Sequence, residues 1–450
     1  MISRRTFVRG LATASLAAAA GMRGRAQTAP AVRIDGRRLR ERIEALSMFG
    51  RPAGGTFADG VSRIAYSDAD VAGRRYVMGL MTAAGLQPRI DAAGNIFAVR
   101  AGTDRSLPPI LFGSHIDSVP SGGNFDGDLG SLSALAVIEA LDAAGVRTRH
   151  PLEMVVWAHE EGFAFGHGLA CSRIAAGEPV DLEQVWTGMT RADAIRKIGG
   201  NPDRITEAKR GKGSHHCYLE LHIEQGGTLE RSGIDIGVVE GIVAIDTYDA
   251  IVTGFANHAG TTPIAERHDA MLAAAHLTVA VRDAVTRTAG RQVGTVGQIE
   301  VTPNSPNVIP GHARLSVELR DLSPQKLVTM MDDIRARAHE IAAATQTTIE
   351  FKKMRSNAPA VASPEVQTAI ERAARSLELK SSRLPSGAGH DAQMMALLGP
   401  MGMIFVPSVR GISHSPDELT HWDDCERGGN VLLRTILEMD KEPQPTSFRL

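Results

Sequence analysis

Three short apolar runs in the chain are each followed by a loop that carries histidine or acidic side chains. The run at residues 109–112 is wholly apolar, and those at residues 152–158 and 218–223 are mostly apolar. Runs of this length are typical of strands that are buried on both faces of a parallel sheet. Because ligands gather at the carboxyl ends of such strands, the loops that follow them are candidate site loops.

Apolar positions spaced three and four residues apart predict helices around these strands. Residues 32–48, 71–84 and 129–144 have this spacing, and Ser67 and Asp68 offer an N-cap before the second segment. Residues 86–99 alternate around a Gly94–Asn95 turn and predict a pair of strands. Strands that alternate with helices indicate an α/β fold with a mostly parallel sheet and helices on both faces.

The pattern changes near residue 241. Strands are predicted at residues 244–254, 293–302, 313–322 and 347–353, with helices at residues 264–285 and 325–344. This β-α-β-β-α-β order is typical of a ferredoxin-like domain. Helix and strand alternate again from Ala360 onward, so we expect a small domain, residues 241–353, inserted into a larger domain made of residues 32–240 and 354–450.

The first 26 residues differ in pattern from the rest of the chain. Arg4 and Arg5 precede a short apolar run at residues 11–20, and a cleavage region with small residues follows it and ends at Ala26. Paired arginines before such a run predict a twin-arginine export signal and a periplasmic mature protein. The run is too short to span a bilayer, and a disordered or amphipathic tail is the alternative.

Composition excludes some classes of protein. The chain has 450 residues, is 43% hydrophobic and carries a net charge of −2, so no basic surface indicates a nucleic-acid partner. No membrane partner is expected for the mature form. The three cysteines, Cys171, Cys217 and Cys425, are widely spaced and are expected to be buried and unpaired.

The loop after the first apolar run carries His115, Asp117 and Asp126. A histidine and an aspartate at a strand end are candidate ligands for a divalent metal. Asp117 is placed to orient the ring of His115. The alternative is a polar surface loop with an acidic cap before the next helix.

The other loops add similar chemistry. Glu160 and Glu161 follow the second run, His222 lies in the third, and His414 lies in a Gly/Ser/Pro loop near the C-terminus. Taken singly, each residue has a structural alternative: an exposed acidic loop, a core histidine or a surface turn. Together with His115 and Asp126, three histidines and two carboxylates suit two Zn²⁺-like ions that share a bridging carboxylate, with Glu160 as general base.

Eight motifs, taken in order, resemble one family over roughly residues 34–436. They are GSHIDSVPSGGNFDGDLG, AHEEG, HIEQG, NHAGTTP, PNVIP, ELRD, GAGHDA and SHSPDE. The chain is similar to the dinuclear-metal amidase/hydantoinase/carbamoylase family, within the aminoacylase and carboxypeptidase G superfamily. Its members are N-carbamoyl-L-amino-acid hydrolases, allantoate amidohydrolases and β-ureidopropionases.

The resemblance implies roles for the metal loops. His115, Asp126 and His222 would hold one ion, and Asp126, Glu161 and His414 the other, so that Asp126 bridges. Glu160 would act as base and then as proton donor. Two divalent ions are implied, with Zn²⁺ expected and Mn²⁺, Co²⁺ or Ni²⁺ as alternatives.

The resemblance also implies roles for residues outside these loops. His258 would reach the active site of a second subunit and stabilise an oxyanion there, which makes the inserted domain a lid and dimerisation domain of a homodimer. Asn307 and Arg320 would bind the substrate carboxylate, with a surface salt bridge as the alternative for Arg320. Gln225 would lie near the ureido group, and Gly389 would line the same pocket.

The implied function is hydrolysis of the ureido C–N bond of N-carbamoyl-L-amino acids or a related small-molecule ureido acid, with release of ammonia and carbon dioxide. A histidine at position 222, where the peptidase relatives usually have a carboxylate, favours the carbamoylase branch. The alternatives are an allantoate amidohydrolase, an aminoacylase or peptidase on the same scaffold, and a non-catalytic binding protein with a relict site.

Overall fold

A computed structural model of the protein describes residues 32–443. The predicted export signal, residues 1–26, lies outside the described residues. Among the described residues, those from Ile34 to residue 443 belong to one compact unit. The division into a larger domain and an inserted domain therefore stays a prediction.

The described residues form strands and helices in alternation. The strands are β1 Arg89–Ile90, β2 Ile96–Arg100, β3 Ile110–His115, β4 Leu152–Trp157, β5 Val185–Trp186, β6 Met189–Thr190, β7 Cys217–Ile223, β8 Ile236–Ile242, β9 Ala244–Thr253, β10 Asn257–His258, β11 Val293–Thr302, β12 Val308–Ile309, β13 His312–Asp321, β14 Thr348–Asn357, β15 Ala360–Val361, β16 Ser381–Ser386 and β17 Met401–Val406. The α-helices are α1 Gly36–Leu46, α2 Asp68–Ala83, α3 Asp128–Ala143, α4 Ala170–Ala176, α5 Arg191–Lys197, α6 Thr228–Ser232, α7 Ala270–Arg287, α8 Pro324–Thr345, α9 Pro364–Ser376, α10 Ala392–Met395 and α11 Trp422–Met439.

The larger sheet has nine strands in the order β1-β2-β4-β3-β7-β17-β8-β15, with β16 beside β8. Its central strands β4, β3, β7 and β17 are parallel neighbours. All residues of these four strands are buried, as expected for strands covered on both faces. The predicted α/β class with a mostly parallel sheet is confirmed. Because the four strands are parallel, their carboxyl ends all lie at the same end of the sheet.

The smaller sheet is antiparallel, in the order β11-β13-β9-β14. Helices α7 and α8 bury Leu277, Val281 and Met330 in one core with the inner face of this sheet. The elements follow the predicted β-α-β-β-α-β order. The helix predicted at residues 264–285 begins later, because residues 264–266 form a 3₁₀ turn and the Asp269 carboxylate caps α7 at the backbone N–H groups of Met271 and Leu272.

Strand β8 was not predicted. Its sequence IGVVEGI has two glycines and one glutamate, which weaken a strand pattern. It nevertheless pairs with β17, β15 and β16 and extends the large sheet. All three cysteines are buried and unpaired, as predicted. Among residues 32–443, no helix combines the length and the apolar character needed to cross a membrane.

Candidate metal centre

The predicted ligand loops meet at the carboxyl edge of the large sheet. His115 is the last residue of β3, and His222 lies one residue before the end of β7. Glu161 lies in the loop after β4, and His414 lies in the loop after β17. Because these four strands are parallel neighbours, their loops converge although they are far apart in sequence.

Asp126 lies at the centre of the convergence. Its Oδ1 atom is 3.0 Å from His222 Nε2 and 3.5 Å from His115 Nε2, and its Oδ2 atom is 3.4 Å from His414 Nε2. His414 Nε2 is also 3.3 Å from Glu161 Oε2. Two of the three groups that could hold a metal ion share Asp126, namely His115–Asp126–His222 and Asp126–Glu161–His414, and the potential ligand atoms within each lie within 4.8 Å of one another. The structure thus brings together all five predicted ligands, with Asp126 common to both groups.

The buried polar atoms of this cluster indicate that a cation belongs there. Nδ1 of His115 donates to the Asp117 carbonyl at 3.0 Å, and Nδ1 of His222 donates to the Ile223 carbonyl at 3.0 Å. In the neutral rings, each Nε2 lone pair therefore faces the carboxylate of Asp126. Both Nε2 atoms are buried without a hydrogen-bond partner. A divalent cation between these nitrogen and oxygen lone pairs would satisfy both, and nitrogen and carboxylate donors suit Zn²⁺.

Asp117 acts differently from the sequence-based expectation. The contact to His115 comes from the Asp117 backbone carbonyl, while the carboxylate Oδ1 is 3.8 Å from the ring. The carboxylate oxygens instead accept the backbone N–H groups of Glu160 and Glu161, each at 3.2 Å. Asp117 therefore ties the loop after β3 to the loop after β4, a contact that sequence spacing did not indicate.

Glu418 contacts two of the ligand loops, and the sequence analysis missed it. Its Oε1 accepts the backbone N–H groups of Phe125 and Asp126 at 3.0 and 3.1 Å, and its Oε2 accepts the Ser413 hydroxyl at 2.7 Å. The side chain thus holds the loop of Asp126 against the loop of His414. Its position four residues after His414 was the available signal, but an acidic residue in a surface-like turn gives no reason to expect burial.

Gly127 lets Asp126 and His115 approach each other. Its φ is +68°, and a Cβ atom at this position would lie 2.5 Å from the ring of His115. Only glycine fits both the backbone conformation and the space. The helix α3 begins at the next residue, Asp128, which forms a buried ion pair with Arg63.

The acidic residues titrate unusually because they are buried together. Burial raises the pKa of Glu160 well above its ordinary value, with His115 opposing and Asp391 adding to the rise. Burial and the nearby Asp126 raise the pKa of Glu161 to about 8. Burial acts in the same direction on Asp126, but His222 and His115 outweigh it and hold the pKa of that carboxyl well below its usual range. Glu160 Oε2 lies 3.9 Å from His115 Nε2, beside the ligand cluster.

A pocket of about 200 Å³ opens onto the cluster. Its lining includes the predicted base Glu160 and the predicted substrate binders Gln225 and Gly389. Gln225 donates from Nε2 to Asp126 Oδ2 at 2.7 Å. His390 also lines the pocket, packs its ring 4.5 Å from that of His222 and hydrogen-bonds to the Ser386 hydroxyl, so its contacts support the ligand His222.

Three of the predicted catalytic and substrate-binding residues do not line this pocket. His258 is exposed on β10, and its Nδ1 accepts the backbone N–H of Gly260 at 3.0 Å. Asn307 accepts the Ser305 hydroxyl through Oδ1 at 2.7 Å. Arg320 forms a salt bridge to Glu318 at 2.7 Å and donates to the Gly387 carbonyl at 2.5 Å. The salt-bridge alternative for Arg320 is thus present in the structure.

The pocket lining includes two arginines and an asparagine that were not predicted as site residues. Arg173 comes from α4, and Arg355 and Asn357 come from the end of β14. None lies in a recognisable motif, since the strand TIEFKKMRSN reads as an exposed, basic edge strand. Only the three-dimensional structure brings these residues to the pocket.

Comparison with known proteins identifies related chains. The model of Peptidase family M20/M25/M40 matches residues 111–438. An N-carbamoyl-L-amino acid amidohydrolase of Geobacillus stearothermophilus is 38% identical over 409 residues, which cover 90% of this chain and 99% of that protein. A ureidoglycolate hydrolase of Arabidopsis thaliana is 35% identical over 430 residues, covering 93% and 90%.

A solved structure has the same fold. An amidase of the hydantoinase/carbamoylase family from Burkholderia multivorans superposes with a TM-score of 0.84 at 35% identity, and the match covers 92% of this chain and 100% of that one.

Proposed function

The chain belongs to peptidase family M20/M25/M40, among its hydantoinase/carbamoylase amidases, and from this we propose that it is a metal-dependent amidohydrolase of ureido acids. It would cleave the ureido C–N bond of N-carbamoyl-L-amino acids or a related ureido acid such as allantoate. The observation that carries the proposal is the pair of ligand groups that share Asp126, beside the buried Glu160. Relatives that match along nearly their whole length carry names of this activity.

We assign two divalent ions, with Zn²⁺ as the expected metal, to the two ligand groups. Ions at these positions would supply Lewis-acid polarisation of the ureido carbonyl and acidify a water molecule. Glu160 takes the proton of the attacking water and delivers it to the leaving amine nitrogen, so that the amino acid and carbamic acid are released. Carbamic acid then decomposes to ammonia and carbon dioxide.

The variant Glu160→Gln tests the role of the base. It keeps the shape of the side chain but cannot accept a proton, so kcat should fall by about 10²–10⁴-fold while metal content and substrate binding are retained. Exposed Glu207, changed to Gln, is the control. Near-normal turnover by the Glu160 variant would refute this assignment.

A parallel assay tests the reaction class. Metal-reconstituted protein would be incubated with N-carbamoyl-L-methionine, N-carbamoyl-β-alanine, allantoate and N-acetyl-L-methionine, and substrate loss would be followed by mass. Turnover of the ureido compounds supports the proposal. Turnover of the N-acetyl compound alone would assign the chain to the aminoacylases instead.

Arg320 and Asn307 are proposed to bind the substrate carboxylate, with Gln225 and Gly389 beside the ureido group. Gln225 and Gly389 already line the pocket. The Arg320 guanidinium reaches the carbonyl of Gly387, in the same loop as Gly389, which supports its assignment to this side of the pocket. A closing movement of the lid, residues 241–353, would be required for direct contact with substrate.

A homodimer is proposed, in which His258 of one chain completes the pocket of the other. His258 is exposed and does not line the pocket of its own chain. Because Nδ1 accepts a hydrogen bond, the neutral ring carries its proton on Nε2 and presents it outward as a donor. The segment that follows His258 in the chain exposes the apolar side chains of Ile264, Met271 and Val279. A second copy of the chain would cover these side chains.

Mixing two inactive variants tests action across subunits. Each homodimer of His258→Asn or Glu160→Gln lacks one group in every site. In a mixed dimer, the Glu160 of one chain and the His258 of the other complete one site, so activity should reappear after subunit exchange. No recovery in a mixture that forms mixed dimers would place His258 in its own chain's site.

Export to the periplasm by the twin-arginine route is proposed from Arg4 and Arg5. Replacing both by Lys should retain the protein in the cytoplasm, as measured by fractionation. Unchanged export would reject the assignment.

A further inference from the structure

A second cavity adjoins the metal pocket. It has a volume of about 400 Å³ and contains none of the predicted metal ligands. The two cavities share Gly168, Arg173, Arg355 and Asn357. These four residues therefore form the border across which a substrate longer than the first pocket would extend.

Two positive charges lie at this border without a close ion pair to a carboxylate. Arg173 and Arg355 form no ion pair with a carboxylate among residues 32–443, whereas Arg191, in the second cavity, donates to the Gln184 side chain at 2.6 Å. Arg355 donates from Nε to Asn357 Oδ1 at 3.3 Å. Arg173 is half-buried, and burial together with the neighbouring Arg355 lowers its pKa, while Glu178 only partly opposes this shift. Two guanidinium groups that repel each other beside a pocket are stabilised when an anion lies between them.

The single carboxylate common to all ureido acids does not account for this pair. One planar guanidinium satisfies both oxygens of a carboxylate, and the proposed function already assigns Arg320 and Asn307 to that group. Arg173 and Arg355 add two further positive charges, and the second cavity provides volume beyond them. The carboxylates that line the metal pocket all belong to the metal loops, so none of them neutralises the arginines.

We propose that Arg173, Arg355 and Asn357 form a second anion subsite, which receives an acidic group on the side chain of the substrate. The inference rests on the proposed function and narrows its substrate class to ureido acids with a second carboxylate. The acidic group lies at the border of the two cavities while the ureido group lies at the metal ligands. Asp181, the carboxylate that lines the second cavity, disfavours a deeper position for the anion.

The test compares two ureido acids that differ in one charge. N-carbamoyl-L-glutamate and N-carbamoyl-L-glutamine have nearly the same shape and the same α-carboxylate. We expect kcat/KM of the metal-loaded enzyme to be about 10- to 100-fold higher for the glutamate compound, the discrimination that one or two charge-assisted hydrogen bonds provide. Equal or higher kcat/KM for the glutamine compound would overturn the proposal.

Amino-acid substitutions test which residues cause the preference for the acidic substrate. Arg355→Met, at an exposed strand position, and Arg173→Met should each lower the glutamate-to-glutamine ratio about tenfold or more, and Arg355→Lys should restore part of it. Arg105→Met, in an exposed loop, is the control and should leave the ratio unchanged. An equal loss with both compounds would overturn the proposal, because the arginines would then bind the common carboxylate or support the fold.

The same measurements separate this inference from the proposed function. If ureido compounds are hydrolysed without an acidic preference, the second subsite is wrong and the proposed function stands. If N-acetyl-L-methionine is hydrolysed and neither ureido compound is, the proposed function itself fails.

Discussion

Glu418→Gln is expected to weaken metal binding without touching any proposed ligand. In the native chain, the carboxylate accepts two backbone N–H groups through one oxygen and the Ser413 hydroxyl through the other. Glutamine retains one oxygen for the backbone groups, but its NH₂ group cannot accept from Ser413. The loop of Asp126 then loses its fixed distance from the loop of His414.

The size of the effect follows from the bonds lost. One hydrogen bond to a charged group contributes about 1.5–3 kcal/mol. The single hydroxyl proton of Ser413 is shared with Asp126 Oδ2 at 3.1 Å and can go wholly to Asp126 in the variant, so we expect the lower end of the range. About 1.5 kcal/mol corresponds to roughly a tenfold loss of metal affinity, within the 10- to 100-fold usual for residues that orient metal ligands.

The dissociation constant for Zn²⁺ would be measured by competition with a chelator of known affinity. Asp417→Asn is the matched control, since it removes the neighbouring carboxylate of the same loop, which is exposed. The control should bind metal like the native protein. If Glu418→Gln and Asp417→Asn had the same metal affinity as the native chain, the reasoning about Glu418 would be wrong.

Three further predictions follow from the geometry. Asp126→Asn should reduce bound metal, measured by mass spectrometry of the purified protein, at both positions together, and loss of only one ion per chain would contradict the bridge. Gly127→Ala should lower metal content and the unfolding midpoint, because the methyl group meets the His115 ring, whereas Gly145→Ala, also at positive φ but in open space, should retain metal. Burial lowers the pKa of His215 to about 3, so the folded chain binds fewer protons there than the unfolded chain, whose histidines titrate near 6.5. The contribution of this group to stability is therefore present above about pH 6.5 and is lost as the pH falls toward 3, at up to about 1.4 kcal/mol per pH unit. Denaturant titrations at several pH values should show that the free energy of unfolding falls less on acidification in His215→Asn than in the exposed control His276→Asn.

The sequence was most informative at positions where packing alone would favour an apolar residue but a polar one is present. His115 and His222 lie at the ends of buried strands, where a polar side chain requires a reason, and the structure places both at one cluster. Glu160 and Glu161 were identifiable because adjacent carboxylates after a buried strand repel each other unless a cation is near.

The residues that were missed depend on contacts between distant segments. Glu418 is significant only because its carboxylate meets backbone N–H groups of residues 125 and 126, and no local pattern contains that information. Arg173 comes from helix α4 and Arg355 from strand β14, and the two reach one border only after folding. The role of Asp117 differed from the prediction for a similar reason, because its carboxylate partners are backbone groups, which carry no signature in the sequence.

The bond from Glu418 to the Asp126 backbone joins residues that are 292 positions apart. During synthesis on the ribosome, the nascent chain therefore presents His115, Asp126 and His222 long before the segment that fixes their geometry exists. A chain that stops after β17 has the first ligand group but neither His414 nor Glu418. Under the proposed function, the complete pair of metal positions would therefore form only in a polypeptide that has been synthesised beyond residue 418.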